Sequence, residues 1–187
     1  MEWIRCTIKQ LDLVSDMYSN VVQYLEETVN YPKWSKEYPC RENVREAIER
    51  GEQYACVENG QILGAVVLND NPDGDYEAGD WSRNLKQGEY LVIHRLAVVP
   101  SQGQKGIGGY LVDRCIETAL RERYRAIRLD VVPHNLPAIR LYEKKGFSFI
   151  GEKDLLRNIE DIPLFELYEL NLDNKSKINC KSSEICT

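Results

Sequence analysis

Apolar residues recur along this chain in two rhythms, and the switches between them mark the elements. Leu13, Met17, Val21, Tyr24, Leu25 and Val29 follow helical spacing, so a helix is expected from a cap at Asp12 to about Val29. Before it, Glu2–Ile8 reads as a first strand. The segment Tyr31-Pro32-Lys33-Trp34 must break the helix, because proline disfavours helical geometry in the residue before it. Tyr38-Pro39 prolongs the loop. A second helix, Arg41–Arg50, stops at Gly51, where glycine readily takes a left-handed cap.

The rhythm then changes. Gln53–Glu58 and Gln61–Asn69 are strand-like runs joined by Asn59-Gly60, a strong hairpin signal. Asn71–Gly88 is polar and rich in Asp and Gly, and reads as a loop. Glu89–Val99 is nearly continuous in apolar residues and ends at Pro100, which fits a strand buried on both faces. A helix should follow from Gly106 to Arg123, with Ile107, Leu111, Cys115, Ile116 and Leu120 on one side. Ala126–Val132 reads as a strand halted by Pro133. Asn135 can cap a helix running to Lys145, and Gly146 ends it. Phe147–Gly151 and Leu164–Leu172 read as the last strands. No repeat or shift in composition divides residues 1–172, so one domain is expected there, followed by a polar tail, 173–187, expected to be disordered.

Composition narrows the class. A chain of 187 residues with 43% hydrophobic and 29% charged residues reads as soluble and globular. Its 24 Lys and Arg against 30 Asp and Glu give a net charge of -6, which argues against a general nucleic-acid binder. No apolar stretch approaches the roughly 20 residues that span a bilayer. The start, MEWIRCTIKQ, lacks the apolar core of a signal peptide. A cytoplasmic protein without a membrane partner is the expectation. The six cysteines form no C-x-x-C pair and there are only two histidines, so no metal site is expected, and free thiols in a reducing cytosol fit. The assembly is open between monomer and homodimer.

The segment HRLAVVPSQGQKGIGGYL, residues 94–111, carries the chemistry. A buried strand runs into a glycine-rich turn that opens a helix. The first amides of a helix have no internal partners and point outward, and the helix dipole adds positive potential, so the arrangement suits phosphate. Glycines at 103, 106, 108 and 109 remove side chains that would hold a phosphate off the backbone, and Lys105 can add a charged contact. A dinucleotide fingerprint fails because Leu111 fills its last glycine position. A Walker loop fails because Gly109-Tyr110 stands where Lys-Ser/Thr is needed.

The segment resembles the GNAT superfamily of N-acetyltransferases through Leu96-Ala97-Val98-Val99-Pro100 and Gln104-Lys105-Gly106-Ile107-Gly108-Gly109. A second stretch, LDVVPHNLPAIRLYEKKGF, resembles the family's other signature, with Asn135, Ala138, Tyr142, Gly146 and Phe147 in place. The resemblance spans about Ile4 to Leu172, with specific motifs confined to 94–147. It departs at Gly103, where family members usually carry Arg or Gln, although Gln102 and Gln104 flank it. The resemblance implies an α/β fold: a mixed, mostly antiparallel sheet of about seven strands with about four helices on its faces. It implies acetyl-coenzyme A as cosubstrate, its pyrophosphate on Gln104–Gly109, its pantetheine arm along Leu96, Ala97 and Val98, and Asn135 as a further contact. Tyr142 would protonate the departing thiolate.

The chemistry then needs a proton acceptor, because an alkyl amine with a pKa of about 10.4 must lose a proton to attack. The candidates are Asp130 and His94. Asp130 is slightly preferred, because related enzymes can carry an acid there. Side chains two and four apart share a strand face, so His94 is expected on the side of Leu96 and Val98. A backbone N–H near Val98 can stabilise the developing oxyanion. Tyr31 and Trp34 are the candidate acceptor contacts, with Tyr38 and Trp81 in neighbouring loops. Asp70, Asp73, Asp75, Glu77 and Asp80 could attract a cationic amine or simply solvate their loop. The expected activity is transfer of acetyl to a primary amine of a small molecule, amino acid or peptide. The rivals are a coenzyme A-binding sensor without catalysis and a protein-lysine or N-terminal acetyltransferase.

Overall fold

The computed structural model describes residues 1–102, 105–159 and 161–173; Gln104 and the tail beyond Asp173 lie outside them. The elements run β1 (Glu2–Arg5), α1 (Leu11–Glu27), α2 (Arg41–Glu49), β2 (Gln53–Glu58), β3 (Gln61–Asn69), β4 (Tyr90–Val98), α3 (Ile107–Arg121), β5 (Ala126–Val131), α4 (Leu136–Lys144), β6 (Ser148–Lys153) and β7 (Phe165–Asn171). Among the described residues, no helix is long and apolar enough to cross a membrane.

One boundary differs from expectation for a local reason. The first strand stops at Arg5 rather than Ile8, because Thr7 caps a short 3-10 turn, Ile8–Gln10, that runs into α1. The Thr7 hydroxyl accepts from the Lys9 N–H, and Gln10 Oε1 accepts from the Thr7 N–H at 3.0 Å. Asp12 is therefore not the cap; it sits in the first turn of α1 and pairs with Arg41.

The sheet has seven strands in the order β1-β2-β3-β4-β5-β7-β6, antiparallel throughout except for β4 and β5. One face is closed by α3 and α4, whose Ile107, Leu111, Cys115 and Tyr142 pack on Ile93, Ile127 and Leu129. The other face is closed in two parts. Val14, Tyr18 and Val21 of α1 and Val44 and Ile48 of α2 cover Ala55, Ala65 and Ala97. Over β5 and β7 the cover comes from loops instead, through Tyr76, Leu85, Leu155 and Ile162.

A buried ion pair pins the first of those loops. Arg128 and Glu169 face each other across β5 and β7, Nε to Oε1 2.9 Å, with side chains 3% and 1% exposed. The Arg128 guanidinium lies between the rings of Trp81 and Tyr90, 4.3 and 4.2 Å from their centroids, and donates to the Arg83 carbonyl. Glu169 also accepts from the Ser82 N–H and hydroxyl. Such a pair is tolerated in the interior only when its remaining donors and acceptors are satisfied, as they are here.

The register of β3 against β4 breaks once. Ala65 faces Ala97 and Val67 faces His94, so Val66 stands opposite two residues, Arg95 and Leu96. This β-bulge reverses the strand's alternation. Leu91 and Ile93 point into the α3 face before it, and Leu96 and Val98 pack against that face after it. His94 consequently lies on the opposite face from Leu96 and Val98, which corrects the placement that uninterrupted alternation gives.

Candidate active site

β4 and β5 pair only through Tyr90–Val92 and Ala126–Arg128. Beyond that, β4 stays with β3 up to Val98 and β5 stays with β7 up to Val131, so the two inner edges part. Backbone polar groups on such an edge require partners. Leu96, Ala97 and Val98 line it on one side, and an extended, amide-bearing arm can complete the pairing there.

At the end of β4 the chain turns through Gly106, whose φ of +80° favours glycine, into α3. The first helical bond runs from the Tyr110 N–H to the Gly106 carbonyl at 2.9 Å. The N–H groups of Ile107, Gly108 and Gly109 therefore precede the ladder at the positive end of a 15-residue helix. Ile107 is buried and holds this turn to the core, while Lys105 is exposed and its Nζ donates to Gln102 Oε1 at 3.0 Å. A Cβ on Gly106 would meet nothing within 4 Å, whereas one on Gly108 would lie 3.2 Å from Leu141 and one on Gly109 3.3 Å from Lys145. Gly108 and Gly109 thus also let α3 approach α4. Free amides, positive helix potential and the absence of side chains fit a pyrophosphate.

Tyr142 is buried on the α3 side of the sheet, within electrostatic reach of Asp130 and edge-on to Phe147 at 5.5 Å. Burial pushes its hydroxyl further above the ordinary value of about 10, so the proton stays on until one is drawn away. Asn135 caps α4, its Oδ1 accepting from the Ala138 N–H at 3.4 Å, which leaves its amide N–H groups to donate elsewhere.

The other face holds His94 and Asp130, and the structure separates them chemically. Asp130 accepts from Arg157 on both oxygens, at 2.8 and 2.6 Å, and from the Tyr76 hydroxyl at 2.6 Å. Arg157 continues to the Asp73 carbonyl at 2.7 Å and stacks 4.6 Å from the Phe165 ring centroid. Asp130 therefore ties two loops to β5, with both carboxylate oxygens already taken up as hydrogen-bond acceptors. His94 Nε2 lies 3.1 Å from Asn69 Oδ1. Burial holds its pKa below the ordinary 6.5, which keeps the ring neutral at neutral pH.

Among the sequence-picked aromatics, Trp34 packs edge-on to Tyr18 at 6.0 Å, with its backbone held by Asn30, and Tyr31 is half-buried nearby in the chain. Trp81 is committed to Arg128 and stacks on Tyr76. The acidic loop is partly spent on internal contacts: Asp75 caps the Tyr76–Ala78 turn, Asp80 pairs with Lys153 at 3.0 Å, and Asp73 lies 3.7 Å from Arg157. Sequence reasoning passed over Arg95, Tyr76 and Arg157. Only Arg95 left a legible sign, as a charged residue inside the apolar run YLVIHRLAVV. It occupies the bulge with φ +51°, the only positive φ at a non-glycine within a strand among the described residues. A conformation of that kind costs about 1–3 kcal/mol and persists only where surroundings impose it. Here the Tyr18 hydroxyl donates to the Arg95 carbonyl at 2.7 Å, and Arg95 Nη1 donates to the Asn43 carbonyl at 3.1 Å.

Residues 18–147 match the Acetyltransferase (GNAT) family. The L-methionine sulfoximine/L-methionine sulfone acetyltransferase of Salmonella typhimurium is 29% identical over 109 residues, covering 56% of this chain and 63% of that protein. The S-(2-succino)cysteine N-acetyltransferase of Bacillus subtilis is 31% identical over 106 residues, 54% of this chain and 58% of that protein. The chain thus spans little more than half the length of these curated relatives. A Salmonella typhimurium protein solved with its cofactor acetyl-CoA superposes with a TM-score of 0.68 at 18% identity, covering 92% of this chain and 94% of that one, a likeness of fold.

Proposed function

The chain belongs to the GNAT acetyltransferase family, and on that premise we propose that it moves acetyl from acetyl-coenzyme A to the primary amine of a small molecule, with amino acids as the leading class. The reading is carried by one observation: Tyr142 on the α3–α4 face and His94 on the opposite face both lie within electrostatic reach of Asp130, which stands on β5 where β4 and β5 part, an acid held protonated on one side and a base held neutral on the other. The cosubstrate supplies an already activated thioester, so no covalent intermediate on the protein is needed. The turn amides of Ile107, Gly108 and Gly109 hold its pyrophosphate, and the free edge at Leu96–Val98 orients its arm. Asn135 keeps an amide donor for the same arm. His94 Nε2 donates to Asn69 Oδ1, which orients the ring and leaves Nδ1 to accept the amine's proton directly or through water. The Val98 backbone N–H is the donor assigned to the growing negative charge on the carbonyl oxygen, and Tyr142 protonates the leaving sulfur. Asp130 acts by positioning. Tyr31 and Trp34 remain the proposed rim of the acceptor site. The two named relatives support the amino-acid class, since each acts on an amino-acid derivative by its name.

The test incubates the protein with acetyl-coenzyme A and a panel of amino acids, simple amines and peptides, with N-acetyl products read by mass spectrometry. Amino-acid products formed faster than peptide products are the expected result. Cofactor binding by calorimetry without amine-dependent product would replace this reading with that of a coenzyme A sensor.

A further inference from the structure

Resting on that transfer reading, we infer that Arg95, presented by the bulge in β4, binds a carboxylate of the acceptor and selects acidic amines over their neutral analogues. Two arginines on this side of the sheet are already matched to an acid, Arg157 to Asp130 and Arg128 to Glu169. Arg95 is half-buried and no carboxylate pairs with it among the described residues. Among the described residues its one acceptor is the Asn43 carbonyl, on Nη1, and its Cζ stands 5.9 Å from the centroid of the Tyr38 ring. A guanidinium has five N–H donors in a planar fork, so most of the donors here remain available.

The backbone makes the same point independently. The bulge position would be relaxed as glycine, yet it carries a long cation in a left-handed conformation. Tyr18 of α1 and the backbone carbonyl of Asn43 in α2 fix its carbonyl and its side chain, so the guanidinium is positioned before any ligand arrives. The neighbouring residue is His94, within electrostatic reach of Arg95. An α-amino acid carries amine and carboxylate on the same carbon, so adjacent residues can hold the carboxylate and take the proton from the amine. A planar fork facing a carboxylate forms two parallel hydrogen bonds, a geometry that lysine cannot reproduce.

The experiment measures kcat/KM for the best amino-acid acceptor of the panel and for its carboxamide, which differs only in losing the charge. Wild type should prefer the acid by about 10²-fold or more, mostly through KM, as expected for an interaction made equally in ground and transition states. In Arg95→Gln the acid-to-amide ratio should collapse to within about threefold, and in Arg95→Lys it should fall by about tenfold. A purely structural arginine would lower both rates and leave their ratio intact, and a retained ratio in folded Arg95→Gln overturns the inference. Should Arg95→Gln fail to fold, the ratio in Arg95→Lys decides in the same way. A wild type that acetylates neutral amines as well as acidic ones also overturns it while leaving the transfer reading standing. If no amine is acetylated at all, the transfer reading falls and takes this inference with it.

Discussion

Tyr142 lies on a face closed by α3 and α4, whereas His94 and Asp130 stand on the opposite face, closed over β5 by two loops. The helical face is apolar packing with a backbone site at its rim: amides of Ile107, Gly108 and Gly109 at the helix end, and an unpaired strand edge. The loop face is held by charges. Arg128–Glu169 fastens the segment around Ser82, and Asp130–Arg157 joins Tyr76 and Asp73 to the 154–164 segment. The difference suits a division of labour. A cosubstrate common to a family can be bound by backbone, which any side-chain variation leaves in place. An acceptor that varies has to be read by side chains on loops positioned by a rigid scaffold.

The sharpest way to break the comparison is to remove the two candidate acceptors of the proton in turn. His94→Gln should lower kcat/KM at neutral pH by about 10²–10⁴-fold. The wild-type profile should rise with pH about a midpoint below the ordinary histidine value of about 6.5, because burial lowers the His94 pKa. That rising limb should vanish in His94→Gln and persist in Asp130→Asn, whose rate falls only through disturbed positioning. A limb that follows Asp130 would return the base to that residue.

On the other face, Tyr142→Phe keeps the ring and its contact with Phe147 and removes only the acid. A fall in kcat of about 10²–10³-fold is expected, with acetyl-coenzyme A affinity nearly unchanged. Because burial raises this hydroxyl, wild type should show no falling limb from Tyr142 below about pH 10. A kcat within about threefold of wild type, with chemistry rate-limiting, would pass the proton to water.

Glu169→Ala tests whether charge really holds the loop face. It leaves Arg128 buried without its partner, which should cost about 3–5 kcal/mol in urea unfolding. Cofactor affinity, belonging to the helical rim, should change less than acceptor KM. A loss below about 1 kcal/mol would mean that the rings of Trp81 and Tyr90 suffice to hold Arg128.

The smallest effect belongs to the exposed side chain at the phosphate turn. Lys105→Glu should weaken acetyl-coenzyme A by about three- to tenfold at low salt, with the gap narrowing as salt rises. This substitution is preferable to a change at Gly108, where any side chain would press on Leu141 and confound binding with packing. A salt-independent loss would point to a broken turn rather than a lost charge.

What the sequence determined by itself is whatever short-range chemistry encodes. The Asn59-Gly60 hairpin, the apolar run of β4, the Gly106 turn into α3 and the Asn135 cap of α4 each depend on neighbours a few residues away, and each stands where expected. Thr7 is the local exception: the cap lies five residues before Asp12, ahead of a short 3-10 turn. Only the tertiary structure decided the rest. The bulge at Arg95 arises from pairing with β3 and reverses the face of His94, which strand alternation alone cannot reveal. Likewise, Asp130 is committed by Arg157, 27 residues away, and by Tyr76, 54 residues away. A carboxylate's chemistry is set by what surrounds it in space, and that is assembled by loops whose sequences carry no periodic signal.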